Sequence, residues 1–433
     1  MNRNGVRETR LENGLRILTK ELHHAPVTSF WVWYRVGSRN EVPGITGVSH
    51  WVEHMMFKGT EQFPKGEIDR QVSRLGGMWN AFTWLDFTAY FATMPADRID
   101  LSLRLEADRM VNSQFERQEV EAERTVILSE LHMYENHPTF LLGREMTATA
   151  LHVHSYRHET IGWESDLETM TRDDLYRHYR TYYVPNNAVA VAVGDFETEA
   201  MVDRIAELYG SISAGPPHQP VTWHEPPQRG ERRVEVIGPG STPYLSLAYH
   251  APAAGDDDWW ALAVADTILG GAKGFSLFGG SPNNRSSRLY RALVDRGLAA
   301  GVSSSVVPTI DPYLYSVNVT LIPTADRAEV ERATSAEIDR LRDEPIREDE
   351  LEKARKQTRA QFAFSSESVT SQGYWLGFSS TVADLAWFDR FLDRVDAVSA
   401  ADIQRVAQRY LQPIGRTVGW YLPGRVEGGK SAG

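Results

Sequence analysis

With 433 residues the chain is too long for one ordinary hydrophobic core, and its make-up, 42% apolar and 24% charged, is that of a globular protein of two or more domains. A formal charge of −12 argues against a general nucleic-acid binder and against attraction to an anionic membrane. The absence of cysteine rules out a disulfide framework, a thiolate metal site and a cysteine nucleophile, and it fits a reducing compartment.

Met1–Arg10 contains no apolar stretch of the kind a secretory signal needs, and no uncharged apolar run reaches transmembrane length, so a cytoplasmic protein is expected. Leu15–Leu18 reads as a short strand and Thr28–Val36 as a longer one, rich in β-branched and aromatic side chains. After a loop at Gly37–Gly44, a helix is expected from Thr46 to Phe57, stopped at Lys58-Gly59. Further helices are expected at Lys65–Leu75, Asp97–Val111 and Glu116–Tyr134, with a strand hairpin over Trp79–Met94. The proline-rich stretch from Ser213 to Pro227 reads as a linker, with strands resuming near Arg233–Val236. The domains are therefore set at 1–212 and 233–433, joined by 213–232.

The two halves carry a common signature. Asp174-Leu175, then Tyr182-x-x-Pro185 and an apolar strand, recur as Asp402-Ile403, Tyr410-x-x-Pro413 and another apolar strand, all at an offset of 228 residues. Duplication is the expected architecture.

The chemistry concentrates in His50-Trp51-Val52-Glu53-His54. Histidines at i and i+4 share one helix face and can close on one small cation, with Glu53 between them. The same spacing also suits a helix carrying two surface histidines and a glutamate. A catalytic zinc takes a third protein ligand and leaves a position for water. The candidates are Glu123 and Glu130, seven apart and so on one face of their helix, with apolar Val126, Ile127 and Leu128 between them. His23, His24, His152, His154 and His158 have no such company and read as surface or packing residues. Trp31, Trp33, Trp259 and Trp260 read as core or interface packing.

These residues, with Gly37-Ser38-x-x-Glu41, Gly76-Gly77-x-x-Asn80-Ala81-Phe82-Thr83, Glu123-Arg124-x-Val126-Ile127-Leu128-x-Glu130 and Ser286-Ser287-Arg288-Leu289-Tyr290, resemble the M16 family of pitrilysin, insulysin and mitochondrial processing peptidase, especially its smaller bacterial members. The resemblance covers most of the chain in family order. It implies an α+β fold of two homologous domains, each a mixed or antiparallel sheet packed with helices, and one Zn2+ per chain. It also implies His50, His54 and Glu130 as zinc ligands, Glu53 as general base and Glu123 as a further catalytic carboxylate behind the ligands. Asn80, Ala81 and Phe82 would lie on an edge strand that pairs with the backbone of a peptide substrate, which favours extended, unfolded segments.

One departure stands out. Family members that work alone or as symmetric dimers carry an Arg and a Tyr seven apart in the second half; here those positions are Leu293 and Ala300. Neither side chain can donate a hydrogen bond, and nothing in the spacing recommends Tyr290, Arg291 or Arg296 as substitutes. The resemblance therefore implies a heterodimer with a paralogous, zinc-less subunit that bears the Arg/Tyr pair; the alternative is a homodimer of low or redirected activity. Two other functions stay open: a non-catalytic or scaffolding subunit, and a processing peptidase dedicated to one precursor. Ala272–Asn284 reads as an insertion into a short glycine-rich turn, suited to a lid, a partner contact or a tolerated loop.

Overall fold

Two sheets organise the protein, in a computed structural model that describes residues 5–218, 220–273 and 285–424. The first is six-stranded: β1 (Arg7–Arg10), β2 (Arg16–Glu21), β3 (Val27–Tyr34), β4 (Met78–Thr83), β5 (Thr88–Pro95) and β6 (Ala188–Gly194), in the order β1-β2-β6-β3-β5-β4. The second contains β7 (Arg232–Gly238), β8 (Tyr244–Ala251), β9 (Ala299–Val306), β10 (Tyr313–Leu321) and β11 (Arg416–Pro423), in the order β7-β11-β8-β10-β9. Both are mixed: β6 runs parallel to β2 and antiparallel to β3, and β11 runs parallel to β7 and antiparallel to β8. The two orders match strand for strand from β2 and β7 onward, so the 228-residue repeat is a repeat of topology.

Local structure repeats as well. Thr171 caps the helix Arg172–Tyr182 by accepting from the Asp174 N–H, while Asp174 accepts from the Thr171 N–H. Ser399 and Asp402 form the same reciprocal box on the helix Ala400–Tyr410. Each box satisfies otherwise orphaned N–H groups at a helix start. A short 3-10 turn then follows each helix, at Pro185–Asn187 and Pro413–Gly415, leading into β6 and β11.

The chain forms two compact units: one holds the residues up to Leu131 with His158–Thr222 and Ser366–Asp389, the other His132–Arg157, Trp223–Ser365 and the residues from Arg390 on. Each thus takes a helical segment from the half of the sequence that supplies the other. In the first unit the helix Val369–Val382 lies over β3 and β6. Close approach explains its glycines: a Cβ on Gly373 would stand 2.4 Å from the Trp31 indole nitrogen, and one on Gly377 would stand 1.9 Å from that of Trp33. Trp31 and Trp33 are fully buried and stacked, which makes them core residues, and Trp259 and Trp260 are buried too. In the second unit the helix Pro138–Ala150 packs on β7, β8 and β11.

Element bounds differ from expectation mainly at the first helix, which spans Val48–Met55 rather than Thr46–Phe57. Gly47 adopts φ +87°, a left-handed conformation that starts the helix one residue later, and a second left-handed glycine at Gly59 ends the turn that follows it. The helix expected at Glu116–Tyr134 spans Arg117–Glu135, and the expected hairpin is β4 and β5. Of the expected insertion, 274–284 lies outside the described residues. No helix among the described residues is long and apolar enough to cross a membrane.

Candidate metal centre and active site

The helix Val48–Met55 buries Val48, Trp51, Val52 and Met55 and leaves His50 and His54 on its other face. Its start is held from outside the helix. The buried Glu41 carboxylate accepts the Gly47 N–H at 2.8 Å and the Ser49 N–H at 2.9 Å, and His158 Nε2 lies 2.9 Å from it. A carboxylate at a helix N-terminus is favoured by the exposed N–H groups there. Glu41 and His158 thus orient the histidine helix, a task for which the sequence offered only the Gly37-Ser38-x-x-Glu41 loop as a hint.

The glutamate helix Arg117–Glu135 completes the cluster. His50, His54 and Glu130 each offer one donor atom, all within 4.8 Å of one another. Glu130 Oε2 is 3.8 Å from His50 Nε2 and 3.7 Å from His54 Nε2. These separations are near the roughly 3.4 Å edge of a tetrahedral site whose ligands lie about 2.0–2.1 Å from zinc. Glu123 Oε1 lies 2.8 Å from His54 Nδ1, which fixes the proton on Nδ1 and leaves the Nε2 lone pair facing the cluster. The other Glu123 oxygen pairs with Lys58, one turn beyond His54. In the sequence Lys58 marked only the helix stop; the turn that follows Met55 is what brings its amine back to Glu123. Among the described residues, His50 Nδ1 is buried without a hydrogen-bond partner. Two imidazoles and a carboxylate converging in this way form a donor set suited to Zn2+.

Electrostatics agree with that chemistry. Burial, helped by the neighbouring His54, pushes His50 down to about 4, so its imidazole is neutral, as a ligand must be. Burial also works against a charged His54, but the Glu123 hydrogen bond and the surrounding carboxylates outweigh it and raise its pKa. Glu123 is held below the usual carboxylate range, burial being overcome by His54 and Lys58.

Glu53 sits between the histidines, 8% exposed, and burial lifts its carboxyl to about 7. The Thr83 hydroxyl donates to Glu53 Oε2 at 2.6 Å. Thr83 ends β4, the outer strand of the first sheet, and the same strand carries Asn80, Ala81 and Phe82. Asn80 is exposed and its side-chain carbonyl accepts the Ala81 N–H at 2.9 Å. The Phe82 ring packs edge-on against Trp31, Trp33 and Phe87, so only the backbone of Phe82 is placed to meet a ligand.

In the second half, Leu293 is fully buried in the π-helical turn Tyr290–Val294, and Ala300 is exposed on β9, an outer strand of its sheet. Arg296 is bound to Glu329 at 2.8 Å.

A duplicated α+β fold with an inverted His-x-x-Glu-His motif and a distant glutamate defines the metallopeptidase class. The insulinase (peptidase family M16) profile matches residues 16–164, and that of the peptidase M16 inactive domain matches 169–358. The chain belongs to peptidase family M16, as a member of the small bacterial type. It is 28% identical over 421 residues to an uncharacterized zinc protease of Streptomyces coelicolor, covering 94% of this chain and 87% of that one. It is 26% identical over 416 residues to a probable mitochondrial-processing peptidase subunit beta of Arabidopsis thaliana, covering 94% and 76%. A solved protease from Helicobacter pylori superposes with a TM-score of 0.90 at 27% identity, covering 96% of this chain and 99% of that one.

Proposed function

We propose that this protein is a zinc-dependent endopeptidase acting on peptides and unfolded segments. The observation that carries the reading is the convergence of His50, His54 and Glu130 beside the buried carboxylate of Glu53. His50, His54 and Glu130 would hold the ion, one per chain, and zinc bound there supplies a Lewis acid. Glu53 accepts the proton of the attacking water and returns it to the leaving amine, work that suits a base whose pKa burial has moved toward neutrality. Glu123, braced by Lys58, holds His54 in the tautomer that presents Nε2. The outer edge of β4 takes an extended peptide by backbone pairing, with the Asn80 side chain giving up the Ala81 N–H as the peptide docks.

A second, paralogous subunit bearing the Arg/Tyr pair completes the site. Leu293 and Ala300 support this, because neither can stabilise developing negative charge, and the Arabidopsis relative is itself named as a subunit. Removing one such donor commonly costs about 10²–10³ in rate.

The test is hydrolysis of unstructured peptides by the purified chain, alone and mixed with an M16 paralogue that carries the pair. The expected result is strong activity only in the mixture, abolished by a chelator and by Glu53→Gln. Full activity of the lone chain would overturn the heterodimer, and a purified protein that binds no zinc would overturn the peptidase reading.

A further inference from the structure

We propose that Thr83 is a positioning residue for the base, its hydroxyl fixing the Glu53 carboxylate against the strand on which the peptide docks; this deepens, and rests on, the peptidase reading above.

Glu53 lies on the helix Val48–Met55 and Thr83 on β4, and the 2.6 Å bond from Thr83 Oγ1 to Oε2 is the one protein hydrogen bond the Glu53 carboxylate accepts among the described residues. Thr83 has a single proton to give. Among the described residues its one other side-chain hydrogen-bonding neighbour is Thr88 Oγ1, at 3.2 Å, and Thr88 donates its own proton to the Val36 carbonyl at 2.9 Å. The shorter contact and the acceptor's charge therefore assign the Thr83 proton to Glu53.

The hydroxyl is held in place from three sides. Thr83 and Thr88 are the last paired residues before the hairpin turn, closed by a Trp84 N–H to Phe87 carbonyl bond of 2.8 Å. The neighbouring Phe82 ring is locked among Trp31, Trp33 and Phe87. A one-residue slip of β4 would turn that ring out of the core, so register is fixed. β-branching then stiffens the Thr83 side chain itself. Asn80 and Ala81 precede on the same short strand, so the edge offered to substrate and the donor that holds the base form one rigid piece. A carboxylate buried with a single donor has little else to set its rotamer, and misplacement of a reacting group by about 1 Å can cost 10²-fold in rate.

Two substitutions separate this role from a merely structural one. Thr83→Val keeps the shape and removes the donor, while Thr83→Ser keeps the donor. Assayed together with the Arg/Tyr-bearing partner, Thr83→Val should lower kcat roughly 10- to 100-fold with KM and zinc affinity within about twofold of wild type, and Thr83→Ser should restore kcat to within about threefold. In crystal structures, Thr83→Val should show Glu53 displaced from its position, and Thr83→Ser should show it in place. A Thr83→Val enzyme with wild-type kcat, or one altered only in KM or zinc content, would overturn the proposal. So would an unmoved Glu53, a readout independent of whether the chain is a peptidase. If the wild-type mixture shows no chelator-sensitive activity, or Glu53→Gln retains it, the peptidase reading fails, whatever Thr83 does to the geometry.

Discussion

Glu123 holds His54 by its Nδ1 at 2.8 Å, while its second oxygen is paired with Lys58. Two partners on one buried carboxylate keep it ionised and fixed, and it in turn sets both the tautomer and the tilt of the imidazole. Partners of this kind typically contribute about 10- to 100-fold to metal affinity. Glu123→Gln should therefore weaken zinc binding by about that factor in competition with a chromophoric chelator, without loss of fold. Lys58→Met should act in the same direction and by less, since it loosens the carboxylate without removing it. Wild-type affinity in both variants would show that His54 needs no support.

Glu53 carries a cost in stability that its chemistry explains. In the metal-free protein its pKa is raised from 4.5 to about 7 by burial. The folded state thus keeps a proton that the unfolded chain releases above pH 4.5, and stability falls as pH rises from there to about 7. Glu53→Gln has no proton to lose. Metal-free Glu53→Gln should match the wild type near pH 4 and exceed it by something on the order of 2–3 kcal/mol above pH 7, measured by denaturant unfolding, while peptide hydrolysis is lost. A variant that is no more stable at pH 8 than at pH 4, relative to wild type, would show that the native carboxylate ionises freely.

Much of this site was legible in the sequence because its parts obey short-range periodicity. The i, i+4 histidines and the glutamates seven apart each follow the turn of a helix, so one face could be written down before any coordinates. The 228-residue offset likewise announced a duplication that both capping boxes repeat atom for atom. What escaped was set by tertiary packing. Nothing near Thr83 in the sequence points to Glu53, thirty residues earlier, because only the pairing of β4 with β5 brings the hydroxyl to the helix. Glu41 and His158, 117 residues apart, meet for the same reason. The exchanged helices were equally hidden, since Gly373 and Gly377 reveal their purpose only against Trp31 and Trp33.

Leu293 and Ala300 differ in what they permit. Leu293 is fully buried, so an arginine there would place a charge in an apolar core at a cost of several kcal/mol. Ala300 is exposed on β9, where an aromatic side chain meets no such penalty. Ala300→Tyr should thus fold with a Tm within a few degrees of wild type, whereas Leu293→Arg should lower Tm sharply or fail to yield soluble protein. A Leu293→Arg, Ala300→Tyr double variant that is both stable and active alone would show that a self-sufficient site lies only two substitutions away.

His178 makes the fold sensitive to acid. Its side chain is buried on the helix Arg172–Tyr182 with Nε2 3.2 Å from Ser49 Oγ, and burial pushes its pKa from 6.5 to about 4 in spite of the nearby Glu41 charge. As pH falls below 6.5 the unfolded chain takes a proton on this residue and the native protein does not. Stability contributed by His178 is therefore complete above pH 6.5 and drains away between there and about 4, by on the order of 3 kcal/mol. Other groups titrate in the same window, Glu53 in the opposite sense, so the informative quantity is the difference between the wild-type curve and that of His178→Asn. That difference should change steadily between pH 6.5 and 4 and be flat on either side. A difference curve flat throughout would mean that His178 is protonated as readily in the native state as in the unfolded chain.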